Sequence, residues 1–188
     1  PKYVNGKILI ITNATLFGQD VKDVDIIAIG SFEKYPLNLK TRRKYKNQVN
    51  KGKFEAIVDE KIESRNIYFS DFCFVFECKK HSAEYVQLNG LNLLVKYDNY
   101  FKDVTYQSER QKYSLYLFLK ERLKFTPNIV NFIWLRNVSM QSIKGLVGSE
   151  IEGYSEHNFL PDKFSVEYLF QLACVQNLPY CKVARHET

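Results

Sequence analysis

The apolar positions of this chain change their spacing along its length. In the first half they form short, nearly continuous or alternating runs. Lys7–Thr12 (KILIIT) is Ile-rich and predicts a strand. Asn13–Asp20 is polar and contains Gly18, a turn region, and Val24–Ile29 (VDIIAI) predicts a second strand stopped by Gly30. Phe54–Val58 suggests a short strand or hairpin arm. Asn66–Lys79 (NIYFSDFCFVFECK) is the strongest strand signal, and Leu91–Lys96 (LNLLVK) is a further short one. Helical spacing begins at Gln107: Gln107, Gln111, Leu115, Phe118, Leu119 and Leu123 fall on one broad stripe. Asn131–Leu135 (NFIWL) then reads as a buried strand. A polar, Gly-containing connection over Gln141–Asn158 leads to a final helix, about Lys163–Gln176, with Pro161 and Asp162 as its start signal. Strands followed by mixed elements predict an α/β fold, a sandwich around a central mixed sheet.

Two of these strands carry side chains that strands rarely carry. Alternation in the strand ending at Lys79 puts Asp71, Cys73, Val75, Glu77 and Lys79 on one face and Phe72, Phe74, Phe76 and Cys78 on the other. The Phe face requires burial, most simply under a helix. Glu77 and Lys79 then project together from the opposite face at the strand's end. A surface ion pair would also satisfy this spacing, but a buried one barely repays its desolvation, so stability alone is a weak reason for it. Asp25 sits among Val, Ile and Ala, where an aspartate needs a partner. Glu77 and a divalent cation would supply one: two carboxylates, the Cys78 backbone carbonyl and waters make a Mg²⁺ or Mn²⁺ site. Such an ion polarises a phosphoryl oxygen and acidifies bound water, and Lys79 would orient that water or stabilise charge on the phosphate. Asp23 shares the face of Asp25 by alternation, at the strand's beginning.

Composition and charge extend this picture. The chain has 188 residues and a 45% hydrophobic fraction, enough for one domain with a real core. Its 13 Tyr and 14 Phe fit either a core or an amphipathic binding surface. Net charge is +6, which permits a polyanionic partner. Lys34–Lys53 holds Lys34, Lys40, Arg42, Arg43, Lys44, Lys46, Lys51 and Lys53 with no acidic residue, either a solvated loop or a phosphate-contacting arm. Lys80 is a further phosphate candidate, and His81 reads as an ordinary loop histidine. Cys73, Cys78, Cys174 and Cys181 form no close pair and the histidines are scattered, which argues against structural zinc. A reducing, cytoplasmic setting is expected. No signal segment or membrane-length apolar stretch is present. The opening Pro1-Lys2-Tyr3 lacks an initiator Met, as expected of a chain trimmed or cut from a larger one.

The order Asp25, apolar strand, Glu77-Cys78-Lys79 resembles the PD-(D/E)XK nucleases. VDIIAIG, then FCFVFECKK, a short strand and the helix beginning at Tyr106-Gln107 resemble more closely the nuclease-related domain called NERD, over roughly Lys7–Leu135. The resemblance implies a restriction-endonuclease-like central mixed sheet flanked by helices. It implies Asp25, Glu77 and Lys79 as the catalytic set, with Gln107 in support; Gln111 and Tyr113 are lesser candidates. The family's first helix, with a Glu near its start, has no counterpart before Lys7. The long stretch between the two motif strands, about 31–65, reads as a basic insertion in a core over 1–139, and 140–188 as an extension with a helix, a junction to a further region.

The expected function is therefore metal-dependent hydrolysis of DNA phosphodiesters (RNA being open as well), in a larger DNA-processing or defence protein with a helicase or other region. The alternatives are a catalytically weak nucleic-acid-binding or assembly module on the same fold, and an apolar protein–protein scaffold.

Overall fold

The computed structural model describes residues 5–46, 58–124, 127–147 and 158–176. Its architecture is mixed α/β: a five-stranded mixed sheet, a smaller three-stranded sheet and three helices among the described residues.

The large sheet grows from an antiparallel meander of β1 (Gly6–Thr15), β2 (Asp23–Lys46) and β3 (Val58–Ser82). β7 (Ile129–Asn137) then joins β3 in parallel, and the short β8 (Phe159–Leu160) joins β7 in parallel, giving the order β1-β2-β3-β7-β8. A parallel neighbour requires a crossover. That crossover contains the helix α1 (Val104–Leu123), preceded by the antiparallel small sheet of β4 (Val86–Asn89), β5 (Asn92–Tyr97) and β6 (Tyr100–Asp103). Helices α2 (Met140–Val147) and α3 (Val166–Gln176) follow β7 and β8.

Gly30 does not stop the second strand. β2 runs through it, and its lack of a side chain has a packing cause: a Cβ there would lie 2.4 Å from the Phe72 ring. Beyond an irregularity between Ser31 and Tyr35, β2 pairs with β3 from Tyr35↔Phe69 to Lys46↔Val58. The described parts of the stretch expected as an insertion, up to Lys46 and from Val58, are thus paired halves of β2 and β3 rather than a separate insertion. The arm expected at Phe54–Val58 lies outside the described residues except for Val58, where β3 begins.

Each face of the sheet has its own core. On one, Phe72, Phe74 and Phe76 cluster with Phe132, Leu160 and the α3 residues Phe170, Leu172, Ala173 and Cys174. The expected cover of the Phe face is therefore α3. Phe74 meets Phe132 edge-on at 5.3 Å between centroids, an arrangement aromatic quadrupoles favour. On the other face, Val24, Ile27, Cys73, Val75 and Ile129 pack against Leu115 and Leu119 of α1. The stretch after Met140, expected as an extension, supplies β8 and α3 to this same sheet and core.

Three helix boundaries differ from the sequence reading. α1 starts at Val104 because the Asp103 carboxylate accepts from the Tyr106 N–H at 2.9 Å, a side-chain N-cap. It ends at Leu123, as the stripe predicts, capped by Lys124, whose left-handed backbone (φ 54) lets its N–H reach Leu119 O. The connection expected over Gln141–Asn158 contains α2. There Ser139 Oγ accepts from Ser142 N at 3.1 Å, and Ile143 is buried against the small sheet. α3 begins after Ser165, whose Oγ accepts from Tyr168 N at 3.0 Å, while the Asp162 carboxylate accepts from the N–H of its neighbour Lys163, ahead of the helix.

Candidate active site

Asp25 and Glu77 meet because β2 and β3 are adjacent. Ile26 pairs with Phe76, so one step further the register sets Asp25 beside Glu77. The two are close enough for the charge of Asp25 to disfavour that of Glu77. Asp25 is half-buried, and its Oδ2 accepts the Cys78 backbone N–H at 2.7 Å. Asp23 at the strand's beginning is exposed, and only its backbone carbonyl enters the site, accepting from Gln111 at 3.2 Å.

Glu77 is 2% exposed and Lys79 7%, both beneath α1. Lys79 Nζ lies 2.5 Å from Glu77 Oε1. The other oxygen, Oε2, accepts from Gln111 Nε2 at 2.5 Å. Lys79 also donates to Gln107 Oε1 at 3.4 Å, and its ammonium lies 5.8 Å from the centre of the Tyr97 ring. Burial pushes the Glu77 carboxyl above its ordinary value; the hydrogen bond and charge of Lys79 oppose the shift, Asp25 adds to it and the Gln111 bond opposes it. Burial works against the Lys79 charge too. The hydrogen bond and charge of Glu77, together with Tyr97, outweigh it and hold the ammonium above its ordinary range. Lys79 therefore keeps its proton firmly.

Gln107, singled out in the sequence, is half-buried and reaches the lysine. Gln111, one turn later, is 2% exposed and reaches the carboxylate. Both partners of its amide nitrogen, Glu77 Oε2 and Asp23 O, are acceptors, which fixes the amide's orientation. Its Oε1 is then buried with no hydrogen-bond partner. A donor or a cation is what such an oxygen lacks. The stripe Gln107-Gln111-Leu115 carried this signal: a second Gln on the apolar side of a helix needs a buried partner.

His81 is not an ordinary loop histidine. It lies in β3 just beyond Lys79, and its ring meets Tyr97 in an edge arrangement, 4.6 Å between centroids. Burial and the charge of Lys79 lower its pKa. Tyr97 comes from β5 and was not signalled by any motif.

The basic residues do not converge on this site. Lys80 is exposed and falls by alternation on the face of Cys78, away from the carboxylates. Arg42, Arg43, Lys44 and Lys46 lie in the outer half of β2. Arg42 is roughly 17 residues from Asp25, about 55 Å of extended strand at ~3.3 Å per residue. Across the hairpin Lys44 pairs with Glu60 and Tyr45 with Asp59, so acidic positions stand among the basic ones. Lys51 and Lys53 lie outside the described residues.

Family models, curated proteins and solved structures provide no match to this chain. The site's own chemistry must therefore carry its interpretation. Among the described residues no cluster of three or more His, Cys, Asp or Glu could hold a metal, and none of the helices is long and apolar enough to cross a membrane. What the site offers is two carboxylates and the unpartnered Gln111 oxygen. An all-oxygen set of this kind fits a hard cation such as Mg²⁺ or Mn²⁺ rather than zinc. Cys73 and Cys78 add no nucleophile, since burial raises their thiols to about 12 and about 11.

Proposed function

We propose that this protein hydrolyses phosphodiester bonds of nucleic acid, DNA in the first instance, with Mg²⁺ or Mn²⁺ held by Asp25 and Glu77. The observation that carries this reading is the convergence of Asp25, Glu77 and Lys79 from two adjacent strands under one helix. It fits a nuclease of the PD-(D/E)XK type on a restriction-endonuclease-like sheet, related to the NERD domains.

The cation, when bound, polarises the phosphoryl group and acidifies a water. The protein's residues have separate tasks. Asp25 and Glu77, with the Cys78 carbonyl, would hold it. Lys79, kept charged, binds a phosphate oxygen and stabilises the charge that develops there. Gln111 holds Glu77 through Oε2, and its own unpartnered Oε1 would accept from a water on the cation. Gln107 steadies Lys79. The outer β2–β3 hairpin touches the nucleic acid at a distance from the reacting phosphate. An intracellular setting, and a helicase-like or other region elsewhere in the native protein, accord with this role.

Cleavage of labelled DNA in Mg²⁺ or Mn²⁺, against chelator, tests the proposal. Asp25→Asn, Glu77→Ala and Lys79→Ala should each abolish metal-dependent cutting; parent-like cutting by these variants rules out the assignment.

One observation favours a second reading, a binding module without activity: both oxygens of Glu77 are already engaged, by Lys79 and by Gln111. Such a module would gain no thermal stability from divalent cations through Asp25 and Glu77. The nuclease would gain it, and would lose it in Asp25→Asn.

A further inference from the structure

The hairpin of β5 and β6 places an aromatic step beside the lysine of the candidate site. Tyr97 and Tyr100 are cross-strand partners at its tip, where Asp98 takes a left-handed conformation (φ 40). Their rings lie nearly parallel, 17° between planes and 5.9 Å between centroids. Inward, Tyr97 meets the Lys79 ammonium and the ring of His81. Outward, Tyr100 is 59% exposed. Lys102 pairs with Val95, which alternates onto the face of Tyr97, so Lys102 stands on the same side of the hairpin as the two rings and is exposed.

A cross-strand ring pair can stabilise a hairpin by itself. That role requires neither a place against Lys79 nor a cation two positions from Tyr100 on the same face of β6. Together they form a track of positive charge, ring face and positive charge. Alternating phosphates and bases fit such a track when the bases are unstacked, and a base inside a duplex cannot present its face to a tyrosine.

From this we infer that Tyr100, backed by Tyr97, is a stacking platform for a base next to the phosphate at Lys79, and that the substrate is single-stranded nucleic acid or a single-stranded end. The inference deepens the proposed hydrolysis and rests on it for the phosphate's position. Asp98 at the tip opposes the attraction in part, so the ring face rather than charge supplies the selectivity.

The test is binding of the full chain to labelled oligothymidylate and to a blunt duplex of equal length, by fluorescence anisotropy in chelator, so that cutting does not interfere. Tyr100→Ala should weaken single-strand binding about 5- to 100-fold while changing duplex binding less than about 2-fold, and Tyr100→Phe, which keeps the ring face, should bind like the parent. Tyr100 is exposed, so neither variant threatens folding. The platform is refuted if the parent ignores the single strand, or if Tyr100→Ala leaves its affinity unchanged or weakens both substrates alike. Cleavage in Mn²⁺ is read separately. Cutting without dependence on Tyr100 in binding overturns the platform and keeps hydrolysis. Tyr100-dependent single-strand binding in a parent that never cuts keeps the platform as a binding surface and overturns hydrolysis.

Discussion

The side-chain nitrogen of Gln111 donates to Glu77 Oε2 at 2.5 Å and to the Asp23 carbonyl at 3.2 Å, tying α1 to both strands of the candidate site. Gln111→Leu removes both bonds and is expected to cost about 1–3 kcal/mol of stability and to slow cleavage about 10- to 100-fold. Gln107→Ala, which removes only a 3.4 Å hydrogen bond at a half-buried position, should slow cleavage less than about 3-fold. Urea denaturation and single-turnover cutting measure the two quantities. Equal effects at 107 and 111 would contradict the assigned roles.

The Glu77–Lys79 pair should cost stability in the service of function. Removing one partner leaves the other buried and unpaired, so Glu77→Ala or Lys79→Ala is expected to destabilise by about 3–5 kcal/mol. The double replacement Glu77→Leu with Lys79→Met should be near neutral or more stable than the parent, by up to about 4 kcal/mol, and wholly inactive. Denaturant midpoints of the four proteins decide it. A double variant as unstable as the sum of the singles would show that the pair is there for the fold.

Acidity should act through Glu77. Its folded pKa is raised above the ordinary 4.5, mainly by burial. The carboxylate needed for cation binding therefore forms at a higher pH than in a free glutamate, and activity rises with pH through that window. The sign for stability is opposite: the contribution of Glu77 is complete below 4.5 and is lost as pH rises through its folded value. Lys79, raised above 10.5, contributes up to that pH and loses its share only in stronger base. Because Lys79 opposes the Glu77 shift, Lys79→Met should move the glutamate higher still. Carboxyl ¹³C shifts of Glu77 follow both; titration at or below 4.5 contradicts the burial argument.

The outer hairpin should affect affinity without affecting chemistry. Replacing Arg42, Arg43, Lys44 and Lys46 by Ser is expected to flatten the salt dependence of binding, by about 0.7 to 0.9 in log–log slope for each phosphate that is no longer neutralised. The single-turnover rate at saturating substrate should stay at the parental value, since these positions lie far along β2 from Asp25. Affinity across salt concentrations, with rates alongside, tests this; a lower rate at saturation would place the hairpin at the reacting phosphate.

The strands that matter most were legible because burial writes itself into period two. Phe72-Phe74-Phe76 on one face, Glu77-Lys79 on the other and Asp25 amid aliphatics all lie where alternation puts them. The helical stripe from Gln107 to Leu123 was legible for the same reason. Other features escaped local reading. Gly30 looks like a strand end, and only the Phe72 ring against it explains why a glycine stands inside a continuing strand. β4 and β6, four residues each, are too short for a period to stand out. Tyr97 reaches Lys79, and meets His81, from β5 of a separate small sheet, a relation between distant segments that no local spacing encodes. Gln111 fell between: its place on the apolar stripe was visible, but its partner 34 positions away was not.

Anomalous diffraction from crystals soaked in Mn²⁺ tests the central claim most directly. A single peak bound by the carboxylates of Asp25 and Glu77 is expected, absent from crystals of Asp25→Asn. Crystals in which Glu77 keeps both its Lys79 and Gln111 bonds at saturating Mn²⁺, with no peak beside Asp25, would contradict it.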